Sequence, residues 1–196
     1  MALLLGDTAH DPTAATTFGT NRFDQVAPAL QYAPARVLKT PAPARVDGDD
    51  LVAIVARFAS AGRLWRPHVR HDPSARRYVR LAWAPDHEVW LICWSQGHEV
   101  DLHDHGGSAG AFIVTDGVLR EEYIDAGRFR RRRCTRGAAR SFSAGHVHTV
   151  SNPGPTVATS IHAYSPPLRS MTFYAPLAGT DLLATHVEMV SKRESP

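Results

Sequence analysis

The stretch Gly97-His98-Glu99-Val100-Asp101-Leu102-His103-Asp104-His105 decides how this chain is read. On an extended strand, residues i and i+2 point to the same side. His103 and His105 can therefore offer two imidazoles to one point in space. Gly110 and Gly117 follow. Further along, Gly137 leads to Ser143-Ala144-Gly145-His146-Val147-His148 and then to Asn152. That second run supplies at least one more imidazole, from His146 or His148.

Working outward, the spacing of both runs resembles the two signature motifs of the cupin family. Gly97, His103-x-His105, Gly110 and Gly117 stand where the first motif has its landmarks, with Gly110 where Glu is usual. Gly137, Gly145, His148 and Asn152 stand where the second has them, with Ser143 where Pro is usual. The spacing selects His148 as the third ligand and leaves His146 as a neighbour or rim residue. The departure at Gly110 removes the usual carboxylate and leaves three neutral histidines. Such a set suits Fe, Cu, Zn or Ni rather than Mg, Ca or Mn, which prefer oxygen. It also leaves charge and coordination room for an anionic, chelating substrate.

Composition sets the frame. A chain of 196 residues, 43% hydrophobic, is long enough to bury a core, and one domain is the prior. No apolar run approaches the roughly 20 residues of a membrane span. The start, Met1-Ala2-Leu3-Leu4-Leu5-Gly6-Asp7, lacks a basic leader region, so a cytoplasmic protein is expected. Two cysteines make no disulfide framework, and Cys93, in Val89-Trp90-Leu91-Ile92-Cys93-Trp94, reads as a buried core residue. The net charge of +3 is modest. Arg128, Arg130, Arg131, Arg132 and Arg133 are read as part of a solvated hairpin rather than a nucleic-acid patch, because no aromatic stacking pattern accompanies the charges.

Residues 1–45, rich in Ala, Pro and Thr, read as an arm laid over the core. A helix is expected over 49–61, with Leu51, Val52, Ile54, Val55 and Phe58 on its apolar face, Asp47 or Asp49 as cap and Gly62 as stop. From Arg76 the pattern changes to ten short strands, over 78–83, 88–95, 98–105, 110–115, 117–125, 128–135, 139–142, 148–151, 156–164 and 171–175. Thr115-Asp116-Gly117 and Asp125-Ala126-Gly127 read as hairpin turns. The expected fold is mainly β, a jelly-roll barrel of cupin type with a small N-terminal helical segment. The division is 1–70 for the arm and helix and 71–196 for the barrel, within one structural domain.

In Ser160-Ile161-His162-Ala163-Tyr164-Ser165-Pro166-Pro167, alternation aims Ser160, His162 and Tyr164 the same way. This run, with Cys93-Trp94-Ser95-Gln96-Gly97-His98 and His103-Asp104-His105, resembles the cysteine dioxygenase family of thiol dioxygenases over residues 76–175. The resemblance implies a mononuclear non-haem iron(II) enzyme that converts the thiol of L-cysteine to a sulfinic acid with O2. His103, His105 and His148 would hold Fe(II). Tyr164 would direct its hydroxyl toward substrate or oxygen, His162 would orient it and Ser160 would anchor His162. Arg80, in Tyr78-Val79-Arg80, matches the family's carboxylate-binding Arg. Animal members carry a Cys, crosslinked to the active-site Tyr, where this chain has Gly110, so Tyr164 is expected unmodified. A small thiol and O2 are the expected partners, without nucleic acid or membrane, and a monomer is expected. The alternatives are a dioxygenase of 3-mercaptopropionate or another small thiol, and a non-catalytic metal-binding cupin.

Overall fold

The computed structural model of the protein describes residues 44–179 and 181–190. The arm read over 1–45 lies almost wholly outside the described residues. The helix α1 spans Gly48–Ser60. Asp47 caps it, its Oδ1 accepting the Asp50 N–H at 2.9 Å, and Asp49 and Asp50 add negative charge to the first turn, where the helix dipole favours it. Leu51 and Val55, one turn apart, are fully buried. Each contributes about 1.5–3 kcal/mol by leaving water. Gly62 begins a 3-10 turn, Gly62–Leu64, rather than simply ending the helix, and a second, Arg66–His68, follows.

Eleven strands follow: β1 Arg77–Trp83, β2 Glu88–Trp94, β3 Glu99–His103, β4 Ala109–Asp116, β5 Val118–Asp125, β6 Arg128–Thr135, β7 Ala139–Phe142, β8 His148–Ser151, β9 Ala158–Ser165, β10 Ser170–Pro176 and β11 Leu182–Met189. Ten match the strands expected from the sequence. β11 does not, and its residues are mostly exposed, so no buried face marks it in the pattern. They form two antiparallel sheets, one in the order β1-β2-β9-β4-β7 and the other β11-β10-β3-β8-β5-β6. This is the jelly-roll arrangement expected.

Alternation sorts the five-stranded sheet into two buried faces. Leu91, Cys93, Ala111, Ile113, Ile161 and Ala163 pack with Leu51 and Val55 of α1. Trp90, Trp94, Phe112, Val114 and Tyr164 face the other way, with Leu119, Cys134 and Val150 of the second sheet. β9 is buried along its whole length because both faces are covered. Its inward side carries Ser160, His162 and Tyr164, so polar groups stand inside the barrel.

The two turns behave differently. Ala126 and Gly127 both have positive φ and close the β5–β6 hairpin as read from the sequence. Asp116-Gly117 is not a hairpin. β4 pairs with β7 and β9, whereas β5 pairs with β6 and β8, so this turn carries the chain from one sheet to the other. Gly117 has φ +71°, and a Cβ there would lie 2.8 Å from Ala158 Cα, which is why only glycine fits.

Candidate metal centre

The register of β3 on β8 sets His103 directly opposite His148. β3 stops at His103, so strand alternation does not carry His105 as the sequence suggested. A turn does. Asp104 donates its N–H to Thr172 O at 2.9 Å, and its carboxylate accepts from Gly106 N at 2.9 Å, Thr172 N at 3.2 Å and Tyr174 Oη at 2.6 Å. That clamp swings His105 back over the site. The three imidazole centroids lie 4.8–5.0 Å apart, and each ring offers a nitrogen within 4.8 Å of the others. All three are buried.

The donor set fits a transition metal. His103 Nδ1 donates to the Asp101 carbonyl at 2.7 Å, and His148 Nδ1 donates to Glu121 Oε1 at 2.8 Å. Carbonyl and carboxylate oxygens can only accept, so both rings keep their proton on Nδ1 and leave Nε2 as the lone-pair donor. Burial, and then the neighbouring His148, lower His103 to about 3. Burial lowers His105 well below its usual value, with His148 and His103 adding to it, and burial lowers His148 despite Glu121. The rings are thus neutral near pH 7, the form that binds a metal. His105 Nδ1 has no hydrogen-bond partner among the described residues. Its ring is held by stacking on Phe142 at 4.7 Å and lies 5.3 Å from the Tyr164 ring.

Glu121 went unnoticed in the sequence reading. It is wholly buried, and its second oxygen accepts from Arg132 Nε at 2.6 Å. Burial pushes its carboxyl up, but the bonds from His146, His148 and Arg132 outweigh that and hold it far below the usual carboxylate range. His146, set aside as a ligand, donates Nε2–H to the same Oε1 at 3.2 Å. The available signal was β5 alternation, which puts Glu121 on the same side as Leu119.

The expected face of β9 forms a connected chain. Trp94 Nε1–H donates to Ser160 Oγ at 2.9 Å, Ser160 Oγ lies 2.8 Å from His162 Nε2, and Tyr164 Oη lies 3.4 Å from His162 Nδ1. An indole can only donate. Ser160, accepting from Trp94, keeps both a proton and a second lone pair for Nε2, so the His162 tautomer sets the direction of that bond. With the proton on Nδ1, His162 faces the phenol oxygen with an N–H and leaves the Tyr164 proton for the cavity; with it on Nε2, Tyr164 donates to His162. Burial lowers His162 to about 3 and pushes the Tyr164 phenol above its usual range, with Glu88 adding to the latter. Trp94 is the member that sequence reasoning missed.

His103, His148, His162 and Tyr164 border one cavity of about 300 Å³. Arg80 is not on its wall. It lines the adjoining cavity, 4.0 Å from the Glu88 carboxylate and over the Trp90 ring. The arginine on the wall of the metal cavity is Arg76, just before β1, which lies over Trp94 and donates to Glu99 O at 2.7 Å. Arg76, Tyr78 and Arg80 share one face by alternation, and the irregular pairing between Arg80 and Ala82 falls at its far end.

Several solved structures are similar to this chain. The protein TT1209 of Thermus thermophilus is 19% identical, with 55% of this chain and 94% of that one covered and a TM-score of 0.47. A cupin superfamily protein of Desulfitobacterium hafniense is 11% identical, with 52% and 87% covered and a TM-score of 0.45. A double-stranded β-helix protein of Klebsiella pneumoniae is 15% identical, with 62% and 93% covered and a TM-score of 0.46. The family model of cysteine dioxygenase type I matches residues 31–176, most of the chain and every residue of the site above. With a jelly roll, a buried three-histidine cluster and this match, the chain belongs to the cysteine dioxygenase type I family.

Proposed function

We propose that this protein is an iron(II)-dependent thiol dioxygenase whose leading substrate is L-cysteine. The reading is carried by one observation: His103 and His148 of the three-histidine cluster line the same cavity as Tyr164, at the end of the His162–Ser160–Trp94 chain, and the His105 ring lies 5.3 Å from the Tyr164 ring. The reaction is RSH + O2 → RSO2H, in which both oxygen atoms end on sulfur and no further reductant is consumed. Bound through His103, His105 and His148, iron(II) supplies the one-electron chemistry that lets dioxygen react with a thiol. The protein's residues do the rest. Trp90, Ile92, Val100, Val150 and Phe173 give the cavity much apolar wall, and the Tyr164 hydroxyl offers a hydrogen bond to substrate or oxygen. His162 holds that phenol from behind, and Ser160 and Trp94 hold His162.

A substrate carboxylate needs a fixed cation, and a guanidinium suits a bidentate clamp. The family resemblance assigns this to Arg80, and the cavity wall favours Arg76. Either choice retains an anionic thiol of the cysteine or 3-mercaptopropionate kind.

The test is oxygen uptake by the iron(II)-loaded protein with L-cysteine, 3-mercaptopropionate and cysteamine in parallel, the sulfinate identified by mass. Uptake matched by cysteine sulfinate is expected. Full iron loading with no uptake on any thiol overturns the enzyme reading in favour of a metal-binding cupin.

A further inference from the structure

The metal-binding histidines bring no charge of their own, and position 110, where the usual cupin places a carboxylate ligand, holds glycine. A buried carboxylate nevertheless stands next to the site. Glu121 lies on the inner face of β5, between Arg132 of β6 and Val150 of β8 in the sheet register. It is 0% exposed, and such a group is retained in a core only when it is paired and hydrogen-bonded. A purely structural ion pair would turn both oxygens to Arg132. Here only Oε2 does so, at 2.6 Å, while Oε1 is turned to His148 Nδ1 at 2.8 Å and His146 Nε2 at 3.2 Å.

We propose that Glu121 is a positioning residue of the metal centre: its carboxylate locks the ring orientation and tautomer of His148 and places a negative charge one imidazole away from the metal, replacing the charge missing at Gly110. The inference rests on the three-histidine metal reading and goes beyond it. A carboxylate accepting Nδ1–H makes the imidazole a stronger donor through Nε2 and fixes which nitrogen is free. Asp101 gives His103 only a neutral carbonyl, and His105 Nδ1 has no partner among the described residues. The strengthened ligand is thus His148. Arg132, lying over the Tyr123 ring at 4.4 Å, holds the far oxygen and keeps the carboxylate aimed inward. His146, a second histidine in the same motif, is accounted for by the same oxygen.

The test compares the full-length wild type with Glu121→Gln and Glu121→Asp. Affinity for Zn(II) is measured by competition with a chromophoric chelator, and the visible ligand-field bands of the Co(II)-loaded proteins are recorded. Glu121→Gln, folded by circular dichroism, is expected to bind Zn(II) about 10–100-fold more weakly and to shift the Co(II) bands, with Glu121→Asp recovering part of both. Affinity within twofold of wild type and unchanged bands in a folded Glu121→Gln overturn the proposal. Should that variant not fold, the long-range 15N–1H spectrum of zinc-loaded wild type decides. A His148 proton on Nδ1 supports the proposal, and one on Nε2 overturns it. Wild type that takes up neither Zn(II) nor Co(II) removes the metal reading and Glu121's role with it. Normal uptake with unaltered Glu121→Gln removes Glu121's role alone.

Discussion

The ring of Phe142 fills the space that a side chain at Gly110 would occupy. A Cβ built there would overlap the end of that ring and lie 3.1 Å from the Ala163 carbonyl oxygen. Gly110 does not need its positive-φ freedom; it is small because β4 and β7 pair directly at Gly110 and Phe142. The same ring stacks on His105, so the missing side chain at 110 and the support of one histidine are a single packing arrangement.

Gly110→Ala is therefore expected to lose about 1–3 kcal/mol of stability through overpacking. Urea unfolding measures it. Phe142→Leu in the same chain should recover part of the loss, which would fail to happen were position 110 free to accept a methyl.

Tyr164 Oη stands at the end of the β9 hydrogen-bonded chain, on the cavity wall. Tyr164→Phe should keep its metal content, measured by atomic emission, while kcat falls by about 10²–10⁴-fold, the usual worth of a positioned acid–base group. Trp94→Phe, which leaves Ser160 without its donor, should give a smaller fall of the same sign. An unchanged kcat in Tyr164→Phe would remove the phenol from the reaction.

Placement on the cavity wall separates the two arginines. Arg76→Gln should raise KM for L-cysteine at least about tenfold, the loss of one charged hydrogen bond, with little effect on cysteamine, which has no carboxylate. Arg80→Gln should change both substrates alike and less. The reverse ranking would return the carboxylate to Arg80.

Asp104 carries the turn that delivers His105. Asp104→Ala removes the acceptor for three donors, Gly106 N, Thr172 N and Tyr174 Oη. A loss of about 1–3 kcal/mol and weaker metal retention on dialysis are expected, whereas Asp104→Asn should retain part of both.

The burial of His162 predicts acid sensitivity. Its folded value, about 3, is below the ordinary 6.5, so between those values the unfolded chain binds a proton that the fold refuses. Stability is unaffected by this group above pH 6.5 and falls as pH drops through that window. Urea titrations of the metal-free protein at about pH 7.5 and about pH 5 should show the fall. His162→Leu should show a shallower one, and an equal slope would mean that His162 takes up its proton without unfolding.

Much of the molecule was written locally. The ten strands, the Asp47 cap, the Ala126-Gly127 turn and the polar face of β9 follow from alternation, capping and backbone preference, which act over a few residues. The grouping of His103, His105 and His148 was legible because two spaced motifs each carry part of it. Contacts between residues far apart in sequence had to wait for the tertiary structure. Strand register, not the histidine spacing, brings Glu121 to His148, Phe142 to Gly110 and Trp94 to Ser160. The Asp104 clamp onto β10, not alternation, aims His105, and the switch of sheet at Gly117 decides that β4 and β5 do not pair. β11 exists only by pairing with β10, since its largely exposed residues carry no buried stripe of their own. The sequence by itself marked His103, His105 and His148 as a candidate cluster. The packing of two sheets decided which carboxylate, ring and arginine surround them, because side chains meet across strands through register, and register depends on the whole sheet.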